Sequence, residues 1–233
     1  MRDILEKGAQ ALGITLTEEQ LSQFEEYYAL LTEWNKRINL TAITDPADVA
    51  VRHFLDSISC AQSTLFVPEE TVIDVGSGAG FPGLPLAICF TGTSFVLLDS
   101  LQKRVQFLNA VISALGLTHV TAIHARAEDA AHGELRERFG IALSRAVAPL
   151  NVLCELCLPF VRVGGHMLAM KGKQATQEQE EAANAIRILG GNNKTSLPVS
   201  IDDHTRRLIL IEKTADTPLK YPRKAGKPSK NPI

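Results

Sequence analysis

"VIDVGSGAGFPG", residues 72–83, places four glycines directly behind a short apolar run. Val72 to Val75 reads as a buried strand, and Gly76, Ser77, Gly78, Ala79 and Gly80 as the turn that follows it. Glycines in such a turn permit positive φ and let a ligand come close to the main chain. Two spacings can be read there. A dinucleotide pattern G-x-G-x-x-G falls on Gly78, Gly80 and Gly83, but it begins several residues after the strand ends and Pro82 interrupts it. The pattern D-x-G-x-G-x-G fits without displacement, with Asp74 in the strand and Gly76, Gly78 and Gly80 in the turn.

Downstream of residue 71, short apolar runs alternate with helical patterns. The runs are "TVIDV", "SFVLLD", "HVTAIHA", "IALSRAV", "HMLAMKG" and "RRLILIEK". Between the second and third, Leu101, Val105, Leu108, Ile112 and Leu115 share one helical face, and Gly116 stops that helix. Strands separated by helices predict a doubly wound, mostly parallel α/β sheet covered on both faces. In such a sheet a ligand binds beyond the carboxyl ends of the strands, beside the first strand and its turn. Asp99 ends the second run, where a carboxylate can accept both hydroxyls of a ribose. That position suits either cofactor class. The third run leads into "ARAED", residues 125–129, whose acids Glu128 and Asp129 equally suit the first turn of a helix.

The 233 residues, 45% of them hydrophobic, bound the chain to one substantial core with at most a small appended element. No stretch reaches the length of a membrane span, and charges at Arg2, Asp3, Glu6 and Lys7 stand where a signal peptide would be apolar, so a cytoplasmic location and no membrane partner are expected. After "TEEQ", where Thr17 and Gln20 form a capping-box pattern, Leu21, Phe24, Tyr28, Leu31, Trp34 and Ile38 follow helical spacing. Cys154 and Cys157 make a C-x-x-C without a second pair; free, reduced, buried thiols are expected, and no metal. Net charge is −2 but unevenly spread. Residues 1–33 hold seven acids and two bases, whereas "KYPRKAGKPSKNPI" from Lys220 holds five bases and no acid. A basic tail attracts phosphates, or simply stays solvated and disordered.

The D-x-G-x-G-x-G spacing resembles the first motif of Rossmann-like class I S-adenosylmethionine methyltransferases. The likeness narrows further. "LLTEWNKRINLTAI", "RHFLDSI", "VIDVGSGAGFPGLPLAI", "SRAVAPL", "MLAMKG" and "YPRKAGKPSKNPI" occur in order along nearly the whole chain and resemble the RsmG family, also called glucose-inhibited division protein B. The resemblance implies an enzyme that uses S-adenosylmethionine to methylate N7 of a guanine in the decoding-region loop of 16S ribosomal RNA. It further implies cofactor contacts at Gly76, Phe81, Asp99, Ala127, Glu128 and Arg145, beside Asp74, Gly78 and Gly80 of the turn.

RNA phosphates are expected to meet Arg126, Lys171, Arg206, Arg207, Arg223 and Lys224. Phe81 reads either as a border of the methionine moiety or as a core anchor for the loop. Arg145, at the end of an apolar run, must face the ligand crevice or pair with a carboxylate. His53 reads as a satisfied helix histidine, and no catalytic base is assigned to His53, Asp56 or Glu128. The expected organisation is an N-terminal helical extension over residues 1–60, packed on the cofactor side of a methyltransferase core over 61–215, with a basic tail over 216–233 and a monomeric chain. The alternatives are an NAD-dependent oxidoreductase using Gly78, Gly80, Gly83 and Asp99, and a non-catalytic RNA-binding protein of ribosome assembly.

Overall fold

A computed structural model describes residues 1–145, 147–201 and 204–233; the side chains of residues 204 and 205 lie outside the described set, as does Ala146 within the "SRAVAPL" segment. One sheet carries seven strands: β1 (Thr71–Val75), β2 (Ser94–Asp99), β3 (Val120–His124), β4 (Phe139–Arg145), β5 (Val161–Lys171), β6 (Gly191–Ile201) and β7 (His204–Lys213). Their order is β3-β2-β1-β4-β5-β7-β6. The first five run parallel, and β7 and β6 close one side in antiparallel pairing. All six apolar runs of the sequence are strands. The run that escapes the pattern is β6, "GNNKTSLPVSI", which is polar for most of its length because it is the outer strand. Pro198, which donates no ladder hydrogen bond, is tolerated there for the same reason.

Helices cover both faces. On one lie α1 (Arg2–Ala11), α2 (Glu18–Asn35), a helical stretch comprising α3 (Pro46–Val49), a π-helical segment (Ala50–Leu55) and α4 (Asp56–Ile58), then α5 (Gly83–Cys89) and α6 (Gln102–Ala114). Leu5, Phe24, Tyr27, Phe54, Leu84 and Phe107 build the core on this face with Val72 and Leu97 of the sheet. After α7 (Ala127–Ala130), the opposite face is covered by α8 (Leu150–Cys157), α9 (Ala175–Glu181) and α10 (Ala183–Ile188), where Leu150, Leu153 and Ile186 meet Ile73, Ala142 and Met167. The capping box of α2 is present in both halves: Gln20 N–H donates to Thr17 Oγ1 and Thr17 N–H to Gln20 Oε1. Gly116 follows α6 with φ +64, the left-handed stop expected of it.

The C-terminal segment is neither extended nor solvated along its whole length. Tyr221 and Pro228 are buried, and α11 (Lys227–Lys230) packs near α8. Arg223 forms a fork on Glu155 of α8, with Nη2–Oε2 2.6 Å and Nε–Oε1 2.9 Å, and its backbone N–H donates to Oε1 at 2.7 Å. Glu155 is 1% exposed. A basic, proline-broken sequence therefore docks because one buried carboxylate demands a partner, a demand invisible in the charge pattern of the tail alone. All four cysteines are free; burial pushes the Cys154 and Cys157 thiols up, so they stay protonated and inert. No helix of the described residues is long and apolar enough to cross a membrane.

Candidate functional site

The turn after β1 is tied to β2 through the backbone. Gly76 and Ser77 N–H groups both donate to Leu98 O, at 2.8 and 3.1 Å. Gly76 and Gly80 have φ of +76 and +94. At Gly76 a Cβ would stand 2.7 Å from Val147 Cγ2, and at Gly80 2.4 Å from Leu84 Cδ1 and 2.7 Å from the Tyr27 hydroxyl. Conformation and close approach thus both exclude a side chain at these two positions. Gly83 stands apart from the turn as the first residue of α5, buried against Leu97. The dinucleotide spacing Gly78, Gly80, Gly83 therefore does not describe one loop.

Asp74 lies beneath the turn, not in the cavity above it. Its Oδ2 accepts Gly83 N–H at 3.0 Å and its backbone oxygen accepts Ser77 Oγ–H, while Oδ1 has no partner among the described residues. Burial pushes its carboxyl up to about 7. Placed among cofactor-contacting residues in the sequence, it is buried scaffold, fastening strand, turn and α5 together.

Above the turn a cavity of about 370 Å³ is bordered by Gly76, Gly78, Phe81, Asp99, His53 and Arg145. Asp99 Oδ2 accepts Gly78 N–H at 2.9 Å and Oδ1 accepts Leu101 N–H at 2.8 Å, so the carboxylate is held at the rim by the backbone of both neighbouring turns. Arg104 approaches it at 3.5 Å. Ala127 and Glu128 border a smaller adjoining space of about 110 Å³, which shares Gly76, Ser100 and Val147 with the first. Glu128 also accepts Gly226 N–H at 3.0 Å, which couples the C-terminal segment to this end of the site.

The N-terminal helices reach this region directly. The Tyr27 hydroxyl of α2 donates to Ala79 O in the glycine turn. The Phe81 ring is 5% exposed and stacks on Tyr27 at 5.6 Å and on His53 at 4.4 Å. The buried ring anchors the loop, and it also borders the cavity. His53 belongs to the π-helical segment, whose wide turn is a local departure often found at functional sites. Its Nε2 lies 2.7 Å from Thr41 Oγ1. Burial, and then the Arg145 guanidinium, pull His53 down to about 4, so it is neutral at pH 7.

Arg145 pairs with a carboxylate and also borders the cavity. Its Nη1 is 2.8 Å from Asp56 Oδ2, and its guanidinium carbon sits 4.9 Å over the Phe81 ring. Arg206 takes the other oxygen, Nε to Asp56 Oδ1, at 3.0 Å. Asp56, 5% exposed, thus joins two arginines from β4 and β7 to the helical stretch. These groups face a second cavity of about 480 Å³, completed by Lys171 and Glu178 and contiguous with the first through His53 and Arg145. Lys171 is not a free surface cation: its ammonium is 2.7 Å from Glu178 Oε2 and donates to Ala148 O. Arg223, likewise expected to meet phosphate, is spent on Glu155. Arg207 Nη1 donates to Ser196 Oγ at 3.2 Å, and Arg126 and Lys224 are exposed.

Glu178 and Val147 were not evident from sequence. Glu178 sits in the polar run "KQATQEQEEAANA", which reads as a solvated helix face, and Val147 is an ordinary aliphatic in a loop. Only the fold turns either toward the site. Among the described residues there is no group of three or more His, Cys, Asp or Glu that could hold a metal.

Comparison with known proteins agrees with this architecture. The GidB family model, described as rRNA small subunit methyltransferase G, matches residues 20–212. The chain is 49% identical over 236 residues to ribosomal RNA small subunit methyltransferase G of Alkaliphilus oremlandii, covering 100% of this chain and 99% of that protein. It is 46% identical to the protein of the same name from Clostridium perfringens, covering 99% and 98%. Among solved structures, M. jannaschii TYW2 in complex with AdoMet superposes with a TM-score of 0.54 at 16% identity, over 68% of this chain and 76% of that one. A SAM dependent methyltransferase from Aquifex aeolicus gives 0.54 at 14%, over 72% and 93%. The two structures share the fold, a Rossmann-like class I sheet with covering helices. With a family model spanning most of the chain and near-full-length relatives at almost half identity, the chain belongs to the GidB family of rRNA small subunit methyltransferases G.

Proposed function

We propose that this protein transfers the methyl group of S-adenosylmethionine to N7 of one guanine in the decoding-region loop of 16S ribosomal RNA. The observation that carries the reading is the contiguity of two cavities, one between the glycine turn and Asp99, the other basic and opening beside it across His53 and Arg145. The first fits the cofactor: Gly76 and Gly78 border it with bare backbone, and Asp99 offers a carboxylate beside them. Gly76, Gly78, Gly80, Phe81, Asp99 and Arg145 would hold it, with Ala127 and Glu128 at the adjoining adenine end and Asp74 supporting the turn from below. When bound, the cofactor supplies an electrophilic sulfonium methyl. RNA phosphates would be held by exposed Arg126 and Lys224 and by Arg206, which lines the second cavity, with Arg207 beside it on the same strand; Lys171 and Arg223 are engaged by Glu178 and Glu155 instead. Residues 1–60 then serve as an extension that braces the turn, 61–215 as the catalytic core and 216–233 as a docked C-terminal segment.

The decisive experiment is to incubate purified protein with 16S RNA or small subunits and S-adenosylmethionine, then map N7-methylguanine by strand cleavage at the modified base. Absence of a new site would overturn the reading. Calorimetry should show S-adenosylmethionine binding and no comparable affinity for NAD. Asp99→Ala removes a charged acceptor for two hydroxyls and should weaken cofactor binding by about 1–3 kcal/mol, roughly 5- to 150-fold. An unchanged dissociation constant would remove Asp99 from the site.

Guanine N7 carries a lone pair and no proton, so no side chain has to remove one. Positioning of the two reactants, which can supply roughly 7–11 kcal/mol, is the term the residues must provide. His53 is neutral above about pH 4 to 5 and has no protonation change to contribute near neutrality. The single-turnover rate, with RNA and cofactor saturating, should therefore show no tenfold rise per pH unit between about pH 6 and 8; Asp74, pushed up to about 7, titrates in that window but lies beneath the turn and does not border the cavity. A tenfold rise per pH unit would reveal a required base and count against N7 as the acceptor.

A further inference from the structure

Lys171 ends β5 and Glu178 lies on α9, and together they wall one side of the second cavity. Their contacts leave a definite pattern of unused hydrogen-bonding capacity. The Lys171 ammonium has three donors; one goes to Ala148 O, and the ammonium also stands 2.7 Å from Glu178 Oε2 as an ion pair. The contacts made by Glu178, to Lys171 and to the Leu150 N–H at 2.8 Å, both fall on Oε2, leaving Oε1 as acceptor. A cation donor thus stands directly beside a carboxylate acceptor. The pair is fixed in place, with side chains 8% and 21% exposed. Elsewhere in the cavity Ile43 and Met170 provide apolar surface, and Arg206 stands at 38% exposure. Its volume of about 480 Å³ lies in the range of about 300–1,000 Å³ typical of small-ligand pockets.

Resting on the methyl-transfer reading above, we propose that this cavity takes the acceptor base and that Lys171 and Glu178 read the Watson–Crick edge of guanine. That edge carries, in order, the O6 acceptor, the N1–H donor and the N2 amino donor. The free Lys171 donor matches O6, and Glu178 Oε1, with two lone pairs, accepts from both N1–H and N2–H. Adenine presents the opposite polarity at the first two positions, an amino donor against the ammonium and a ring acceptor against the carboxylate, so it is rejected by unpaired groups as well as by lost bonds. With the Watson–Crick edge on this wall, N7 lies on the adjacent Hoogsteen edge, next to O6, and takes no part in that pairing. His53 and Arg145, which line the same cavity, are the two residues it shares with the cavity above the glycine turn. Ile43 and Met170 offer apolar contact to the ring. Asp56 does not compete for this role, because each of its oxygens already holds a guanidinium.

The test uses single-turnover methyl transfer to RNA carrying either guanosine or inosine at the acceptor position. Inosine retains N7, O6 and N1–H and lacks only the 2-amino group. Wild-type protein should favour guanosine over inosine by about ten- to a hundredfold, the loss of one hydrogen bond to a charged acceptor. Glu178→Gln should lower the guanosine rate and shrink that preference toward unity while leaving S-adenosylmethionine affinity as in wild type. Wild-type protein that treats the two RNAs alike overturns the assignment without recourse to any variant, and so does a folded Glu178→Gln protein that keeps the full preference. Wild-type protein that methylates neither RNA overturns the activity itself, a result distinct from methylation without discrimination.

Discussion

Arg223→Ala should lower the melting temperature by roughly 6–20 °C. The side chain removed is the partner of Glu155, a carboxylate 1% exposed in the middle of the apolar helix α8. Truncating one member of a buried pair leaves an uncompensated charge, at a cost of about 3–5 kcal/mol. For a chain of this length each kcal/mol corresponds to roughly 2–4 °C. The Arg223 N–H to Oε1 bond survives the substitution and keeps the loss from being larger. Arg223→Lys retains the charge without the two-pronged geometry and should fall between wild type and alanine. Adding Glu155→Gln to Arg223→Ala removes the stranded charge and should restore part of the stability. Thermal unfolding of the three variants checks the set; an alanine variant melting within about 1 °C of wild type would show that the C-terminal segment is held by other contacts. Through Gly226 and Glu128 the same segment touches the small space beside the cavity proposed to hold the cofactor, so loosening it should also weaken cofactor binding.

Asp56→Ala should be the most damaging substitution for methyl transfer. Asp56 gathers Arg145 at 2.8 Å and Arg206 at 3.0 Å into one wall between helix and sheet. Without it two guanidiniums face each other with no counter-charge, and Arg145, with only 15% of its side chain exposed, cannot regain water in place. One or both must move, and Arg145 carries with it the contacts to His53 at 3.3 Å and to the Phe81 ring. A displacement of about 1 Å at a reacting centre costs on the order of a hundredfold. Single-turnover transfer should therefore fall by about that factor or more, with a loss of stability of about 3–5 kcal/mol from the stranded cations. Asp56→Asn keeps an oxygen for one arginine and should lose less of both. A folded Asp56→Ala protein with a wild-type rate would mean that the arginine wall takes no part in positioning the RNA.

Local chemistry wrote much of this structure into the sequence. Alternating short apolar runs and helical faces specify six of the strands and α6, because each buries its own apolar surface whatever surrounds it. Thr17 and Gln20 start α2, and Gly76 and Gly80 shape the turn, because capping and positive φ are properties of a few adjacent residues. The position of Asp99 beside that turn follows from strand length and parallel register, and was legible for that reason. Pairings between distant residues were not legible. β6 looks polar because it lies at an outer edge, and nothing within its own eleven residues states which neighbour covers it. Arg223 and Lys171 read as cations awaiting phosphate until the fold sets Glu155, 68 residues away, and Glu178, on a separate helix, against them. Asp74 reads as a ligand contact from its place in the glycine motif, and the register of β1 under α5 buries it as scaffold. The cost of leaving a buried charge unpaired is what enforces these long-range choices, and that cost exists only once burial has been decided by the tertiary structure.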